Sequence, residues 1–355
     1  MVTIRPPKVS VVVPTLNAGP RFEELLKKVS EQEGDFEREL IVVDSGSTDG
    51  TVELARRYGA TVHRVPRAQF DHGATRNLGV SLARGEYVAL TVADAVPLDG
   101  RWLAAMVEDL ERDERVAGVY GRQVPHPEAS ALTRVLVNNQ ATAGLERREQ
   151  QYVGGPERRH RERMPPRQRR RLAAFGRGRL AAFERRRLAA FERRRLAAFD
   201  NVSSCLRRSV WEELPFEKTS FGEDLRWGKR VVEAGYKIVY EPRSAVFHSH
   251  ERGAMYELRR NYVDQRILLE LFGLELVPNL VYLFLAISRS SAHLYRLLRQ
   301  DEEVAAKGAL WAMLLAARHA VPAEIGNYLG VKSKSLARLS PRAFERLHRF
   351  LSKGI

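Results

Sequence analysis

Short apolar, β-branched runs alternate with amphipathic stretches through the first 125 residues. The runs at 9–14, 40–44, 61–65, 87–92 and 116–120 predict strands. Between them, 21–31, 51–58, 74–83 and 101–111 repeat apolar residues at three- and four-residue spacing and predict helices. Such alternation is the pattern of a parallel sheet flanked by helices, so the expected class is α/β.

From 129 to 149 the pattern turns helical, and an arginine-rich stretch follows. Arg-Leu-Ala-Ala-Phe begins at Arg171, Arg179, Arg187 and Arg195, a strict eight-residue period. Eight residues advance a helix face by about 80°, so the Leu and Phe positions spiral around the rod instead of forming a coiled-coil stripe. The repeat reads as a solvated helical arm or loop expanded by duplication, or as a binder of anionic surfaces. Globular patterning resumes after Phe199, with strands expected over 202–207, 237–240 and 245–248 and a helix over 223–234. Long apolar-periodic segments at 256–272, 276–298, 303–319 and 341–351 predict an α-helical C-terminal region, a cap or a membrane-facing surface. The expected division is 1–125, 126–200 as an insertion, 201–253 completing the first domain, and 254–355.

Composition narrows the class. With 355 residues and 44% apolar content the chain can bury a sizeable core. Its one cysteine, Cys205, excludes an intramolecular disulfide framework and a cysteine-built metal site, and fits a cytoplasmic protein. The N-terminus does not read as a signal peptide. The apolar run at 276–287 is interrupted by Asn279 and is shorter than the roughly 20 residues of a spanning helix. The net charge of +15 is concentrated: 147–195 holds 18 Arg and 5 Glu, and the rest of the chain carries 41 basic and 39 acidic residues. The charge therefore describes one segment. A non-enzymatic binder gripping nucleic acid or a membrane through that segment is the competing class, weakened because the arm lacks aromatic platforms beyond its Phe repeats.

Candidate chemistry begins at Val42-Val43-Asp44-Ser45-Gly46-Ser47-Thr48-Asp49-Gly50-Thr51. A buried strand delivers Asp44 to the carboxyl edge of the sheet, where open α/β folds bind ligands. Asp44 is expected to contact a base or ribose, and Asp49 or Gly50 to cap the next helix. With Val11-Val12-Val13-Pro14-Thr15-Leu16-Asn17 upstream, the segment resembles the nucleotide-binding opening of the family-two glycosyltransferases of GT-A fold. Phe70-Asp71-His72-Gly73-Ala74-Thr75-Arg76-Asn77-Leu78-Gly79 resembles their rhamnosyltransferase-type branch. The resemblance runs from about residue 9 to 250.

It implies a GT-A, Rossmann-like, mostly parallel mixed sheet, with 1–125 binding the nucleotide sugar and 201–253 carrying acceptor binding and catalysis. The nucleotide-sugar contacts it implies are Pro14, Thr15, Asn17, Asp44, Ser45, Gly46, Asp49, Arg76, Asn77 and Asp94. First-turn amides after Gly73, with Arg76, are placed against a diphosphate. Asn77 is read either as structural or as a sugar contact. Where the family has Asp-x-Asp, this chain has Val92 and Asp94, so Asp94 alone is left to hold a divalent metal, Mg2+ or Mn2+. Strand alternation puts His248 and His250 on one face as further ligands. In Phe221-Gly222-Glu223-Asp224-Leu225-Arg226-Trp227, Asp224 is the expected general base, Glu223 shapes the acceptor pocket, and Trp227 is either a sugar platform or core.

No Gln-x-x-Arg-Trp follows Asp224, which implies transfer of a single sugar. No Gly-x-x-x-x-Gly-Lys or Gly-x-Gly-x-x-Gly is present, which disfavours ATPase and dehydrogenase readings. The expectation is a cytoplasmic, inverting glycosyltransferase using a dTDP- or UDP-linked sugar and a glycan or lipid-linked saccharide acceptor, with rhamnose the sugar that the resembling branch suggests. Peripheral contact with the anionic inner face of the membrane is expected of the arm, and nucleic acid is not an expected partner.

Overall fold

The computed structural model describes residues 7–152 and 179–354, with side chains from 184 onward in the second stretch. The chain divides into two compact units, the first built from Met1–His126, Val137–Val153 and Arg195–Ser249. The second comprises Pro127–Leu136, Gly154–Arg194 and His250–Ile355, so residues 126–200, expected as one insertion, are shared between the two.

Among the described residues the first unit holds a nine-stranded sheet. Its strands are β1 (Val9–Thr15), β2 (Arg38–Asp44), β3 (Thr61–Arg64), β4 (Tyr87–Thr91), β5 (Val96–Pro97), β6 (Val116–Val124), β7 (Arg148–Gln151), β8 (Ser203–Arg207) and β9 (Lys237–Phe247). The order is β3-β2-β1-β4-β8-β6-β9-β5, with β7 also on β9. β3, β2, β1 and β4 run parallel; β8 runs against β4 and β6, and β9 runs parallel to β6. The central strands β1 and β4 are buried on both faces because helices cover both. Val9, Val11 and Val13 pack with Phe22 and Leu25 of α1 (Arg21–Ser30) and with Leu103 and Met106. Val12 and Leu90 face the other way, towards Val80, Trp227 and Val231.

The helices continue as α2 (Thr51–Arg57), α3 (His72–Leu82), α4 (Trp102–Arg112), α5 (Ala131–Asn138), α6 (Arg179–Leu196), α7 (Arg208–Glu213) and α8 (Glu223–Glu233). The helix expected over 129–149 ends at Asn138. Residues 148–151 instead pair as β7 with the open edge of β9, where Gln150 accepts from the Tyr120 hydroxyl at 2.8 Å. The two strands expected over 237–240 and 245–248 are the single β9, and a register shift opposite Gly121 and Arg122 absorbs 242–244.

The arginine repeat also departs from expectation. Its first copy, from Arg171, lies outside the described residues. In the second unit, Arg187 donates to the Leu276 carbonyl at 3.2 Å and Arg193 to the Phe272 carbonyl at 3.1 Å. Guanidinium groups there satisfy loop and helix-end carbonyls, so one side of this part of the repeat is packed while Arg185, Arg186 and Arg194 stay exposed. The last copy enters the first unit's core: Ala197 is fully buried, and the Phe199 ring lies 4.6 Å from that of Trp227.

The second unit is helical: α9 (Ala254–Phe272), α10 (Leu280–Leu298), α11 (Glu302–Lys307), α12 (Ala309–Leu339) and α13 (Pro341–Leu351). Asn279 caps α10 by accepting from the Tyr282 amide at 3.1 Å, so this helix starts later than 276. The helix expected over 303–319 is broken at Gly308, whose φ is 93°, and resumes as the longer α12. A Cβ on Gly326 would strike the Leu258 carbonyl, so a small residue there lets α12 approach α9 closely.

Candidate active site

Because β1, β2 and β4 are parallel, Thr15, Asp44 and Thr91 end at one edge of the sheet. Asp44 is held by its own turn there. It is fully buried; Oδ1 accepts from the Gly46 and Ser47 amides at 3.1 and 3.0 Å, and Oδ2 accepts from the Thr15 hydroxyl at 3.2 Å. The carboxylate folds the turn after β2. Ser45 and Thr15 are buried beside it and Pro14 is half-buried. Asn17, Gly46 and Asp49 are at least partly exposed. Asn17 ties the two loops together, accepting from the Thr48 amide at 2.9 Å and donating its own amide to the Ser47 hydroxyl at 2.7 Å. The Thr51 hydroxyl donates to Asp49 at 2.5 Å and holds its carboxyl below the usual range.

The start of α3 is fastened to the loop before α8. Asp71 accepts from the Ala74 amide at 2.9 Å and the Thr219 amide at 3.0 Å, and the Gly73 amide donates to the Thr219 carbonyl at 3.4 Å. A Cβ on Gly73 would collide with the Glu217 carbonyl. Asn77 donates to the Phe216 carbonyl at 2.8 Å and accepts from the Trp211 indole at 2.8 Å and the Phe216 amide at 3.0 Å. These contacts fasten the loop before α8, so Asn77 is structural and the Gly73 and Ala74 amides are already matched within the protein. Arg76 is also engaged: Nη1 lies 3.1 Å from Glu223, and both side chains are nearly buried.

That loop delivers Glu223 and Asp224 to the first turn of α8, entered through the left-handed Gly222 at φ 74°. Glu223 also accepts from Asn201 Nδ2 at 3.1 Å. Asp224 keeps part of its surface accessible. Burial, reinforced by the negative charges of Glu223 and Asp200, pushes its pKa up to about 8, against the smaller opposing pull of Arg76. A carboxyl poised near neutral pH suits a general base. Trp227 is not a sugar platform: it is fully buried against Phe199 and Phe216, and its indole N–H donates to the Leu214 carbonyl at 2.8 Å.

Asp94, His248 and His250 converge. Val96 of β5 pairs with Phe247 of β9 in antiparallel register, which sets the turn holding Asp94 beside the end of β9. His248 Nε2 lies 4.0 Å from Asp94 Oδ1. His250 follows two residues on, and one ligand atom from each of the three lies within 4.8 Å of the others. One carboxylate oxygen and two imidazole nitrogens this close are a donor set that fits a divalent ion, with positions left open. Gln123 and Asp200, singled out by no motif, complete the surroundings: Gln123 Nε2 donates to Asp200 Oδ2 at 2.7 Å, and Gln123 Oε1 lies 3.0 Å from His248 Nδ1. The available signal was two polar residues at the ends of apolar strands, Gln123 in β6 and Asp200 just before β8.

The model of the family described as glycosyl transferase family 2 matches residues 10–186. The chain is 28% identical over 260 residues to the O-antigen chain rhamnosyltransferase WbaN of Salmonella anatum, covering 72% of this chain and 70% of that one. To RfbN of Salmonella typhimurium, also an O-antigen chain rhamnosyltransferase, it is 27% identical over 259 residues, with 72% and 70% covered. Among solved structures, a mannosyltransferase of Pyrobaculum calidifontis in complex with GDP-Man and Mn2+ covers 98% of this chain and 86% of its own, at 20% identity and a TM-score of 0.47.

Proposed function

The chain belongs to glycosyl transferase family 2 and is a glycosyltransferase; on that premise we propose that it inverts configuration while moving one rhamnose from dTDP-rhamnose to an acceptor hydroxyl of a surface glycan or its lipid-linked precursor. The donor rests on likeness to the two O-antigen rhamnosyltransferases. What supports the reaction is the place of Asp224 beside Glu223 in the first turn of α8, where burial pushes its pKa up to about 8. Its carboxylate takes the acceptor hydroxyl proton as that oxygen bonds to the anomeric carbon and the bond to the diphosphate oxygen breaks on the opposite face. One displacement inverts the centre and requires no covalent intermediate on the protein. Arg76 neutralises Glu223 beside the base, and Asn17, Gly46 and Asp49 form the nucleotide loop.

Asp94, His248 and His250 would hold the divalent ion, whose charge, when bound, offsets that of the diphosphate. Two imidazoles favour Mn2+ over Mg2+, which prefers an all-oxygen octahedron. The test is release of nucleoside diphosphate from a panel of dTDP-, UDP- and GDP-sugars in Mn2+. The expected result is fastest turnover of dTDP-rhamnose. Faster use of another donor overturns the sugar assignment, and release from none overturns the transfer reading.

The same proposal places the protein peripherally on the anionic inner face of a membrane. α10 exposes Leu280, Val281, Phe284 and Leu285. α6 is fastened beside them, with the Tyr282 hydroxyl donating to Glu184 at 3.1 Å, and it exposes Arg185, Arg186 and Arg194. Among the described residues no helix is long and apolar enough to cross a membrane. An apolar face rimmed by guanidinium groups is suited to lying in an anionic interface, where each cation contributes about 1 kcal/mol. Phe284→Glu and the pair Arg185→Glu/Arg186→Glu should each weaken sedimentation with phosphatidylglycerol vesicles at least about tenfold. Added salt should weaken wild-type binding. Equal binding by both variants would refute the membrane contact.

A further inference from the structure

We propose that Asp200 and Gln123 form a positioning relay that fixes His248 as the Nδ1–H tautomer and so presents its Nε2 lone pair to the metal site. The logic starts from hydrogen-bond inventory. Asp200 Oδ2 accepts from Gln123 Nε2 at 2.7 Å. That contact decides which way the Gln123 amide points, and its oxygen is left 3.0 Å from His248 Nδ1. An amide oxygen cannot donate, so Nδ1 carries the proton. In the neutral imidazole Nε2 is then the nitrogen without the proton, on the side of the ring 4.0 Å from Asp94.

Each member is fixed by backbone pairing. Gln123 sits in β6 opposite Val246 of β9, the His248 amide donates to the Val124 carbonyl at 2.9 Å, and Asp200 accepts from the Val202 amide at 2.9 Å. Gln123 itself is nearly fully buried, so water does not compete well for its amide. A histidine ligand whose other nitrogen is held by an acceptor has its tautomer and ring orientation set before the ion arrives. The inference rests on the metal-site reading of Asp94, His248 and His250, but the tautomer can be read without metal.

The experiment uses the full chain and two readouts. Two-bond 1H–15N correlation spectra of the metal-free protein should show His248 as Nδ1–H, and Mn2+ titration followed by electron paramagnetic resonance gives the metal affinity. Gln123→Met should mix the tautomers and weaken Mn2+ binding about 10- to 100-fold. Asp200→Asn, whose amide no longer dictates the orientation of Gln123, should do the same to a lesser degree. The double variant Gln123→Glu/Asp200→Asn moves the charge one residue along the relay, since the amide introduced at position 200 would donate and the carboxylate introduced at position 123 would accept from Nδ1. It should restore the Nδ1–H tautomer and bring Mn2+ affinity back to within about threefold of wild type. An Nε2–H tautomer in the wild type, or a double variant no better than the single ones, overturns the relay. Wild-type protein that shows the Nδ1–H tautomer but does not bind Mn2+ overturns the metal reading and with it the role assigned here.

Discussion

Asp224→Asn should lower sugar transfer at least about a hundredfold and, at alkaline pH, make the protein more stable. The two effects share one cause. A carboxyl in the unfolded chain titrates near 4, whereas burial and the charges of Glu223 and Asp200 raise that of folded Asp224 to about 8. Between those values the folded protein holds a proton that the unfolded chain has lost, so stability falls as pH rises from about 4 to about 8 and the full penalty persists above. Asparagine has no charge to desolvate. The variant should therefore gain about 3 °C or more in Tm at pH 9 and little near pH 4, while dTDP binding stays near wild type. In the wild type, kcat/KM should climb roughly tenfold per pH unit below about 8 and then level, because it reports the free enzyme's base. An acid limb near pH 4, or near-normal turnover in the variant, would remove Asp224 from the role.

Asp94→Ala should abolish the part of nucleotide affinity that depends on Mn2+, a loss of at least about a hundredfold, since an outer-shell change alone costs 10- to 100-fold. With Val92 where the family has an acid, Asp94 supplies the one carboxylate of the three-residue donor set. His248→Ala should weaken the same affinity, and acidification should mimic it because a ligating imidazole must be neutral. Calorimetry of dTDP binding with Mn2+ and with EDTA separates the outcomes. Affinity indifferent to both would show that the diphosphate is held without metal.

Much of the first unit was legible because its rules are local. Strands such as Val9–Thr15 and helices such as Arg21–Ser30 follow from runs of apolar residues and from three- and four-residue spacing. The strand-end carboxylates and the Glu-Asp pair were legible as motifs for the same reason, with every residue lying within a few positions of the next. Motif membership did not distinguish ligand contacts from supports. Asn77 and Trp227, each left open between a ligand contact and a support, are held by the loop before α8 and by the core, and Asp44 also folds the turn after β2.

The sequence by itself determined the alternation of strands and helices, the carboxylates and histidines available for chemistry, and the confinement of excess charge to one segment. Only the tertiary structure decided which of them meet. The pairing of β5 with β9 sets Asp94 beside His248, and packing of α3 against the loop before α8 joins Arg76 to Glu223, far apart along the chain. It also decided that Gln123 and Asp200, in no motif, stand behind the histidine, and that one copy of a solvent-like repeat ends in the core at Phe199. The physical reason is that hydrogen bonding and desolvation act at a few ångströms in space, whereas periodicity reports only neighbours along the chain.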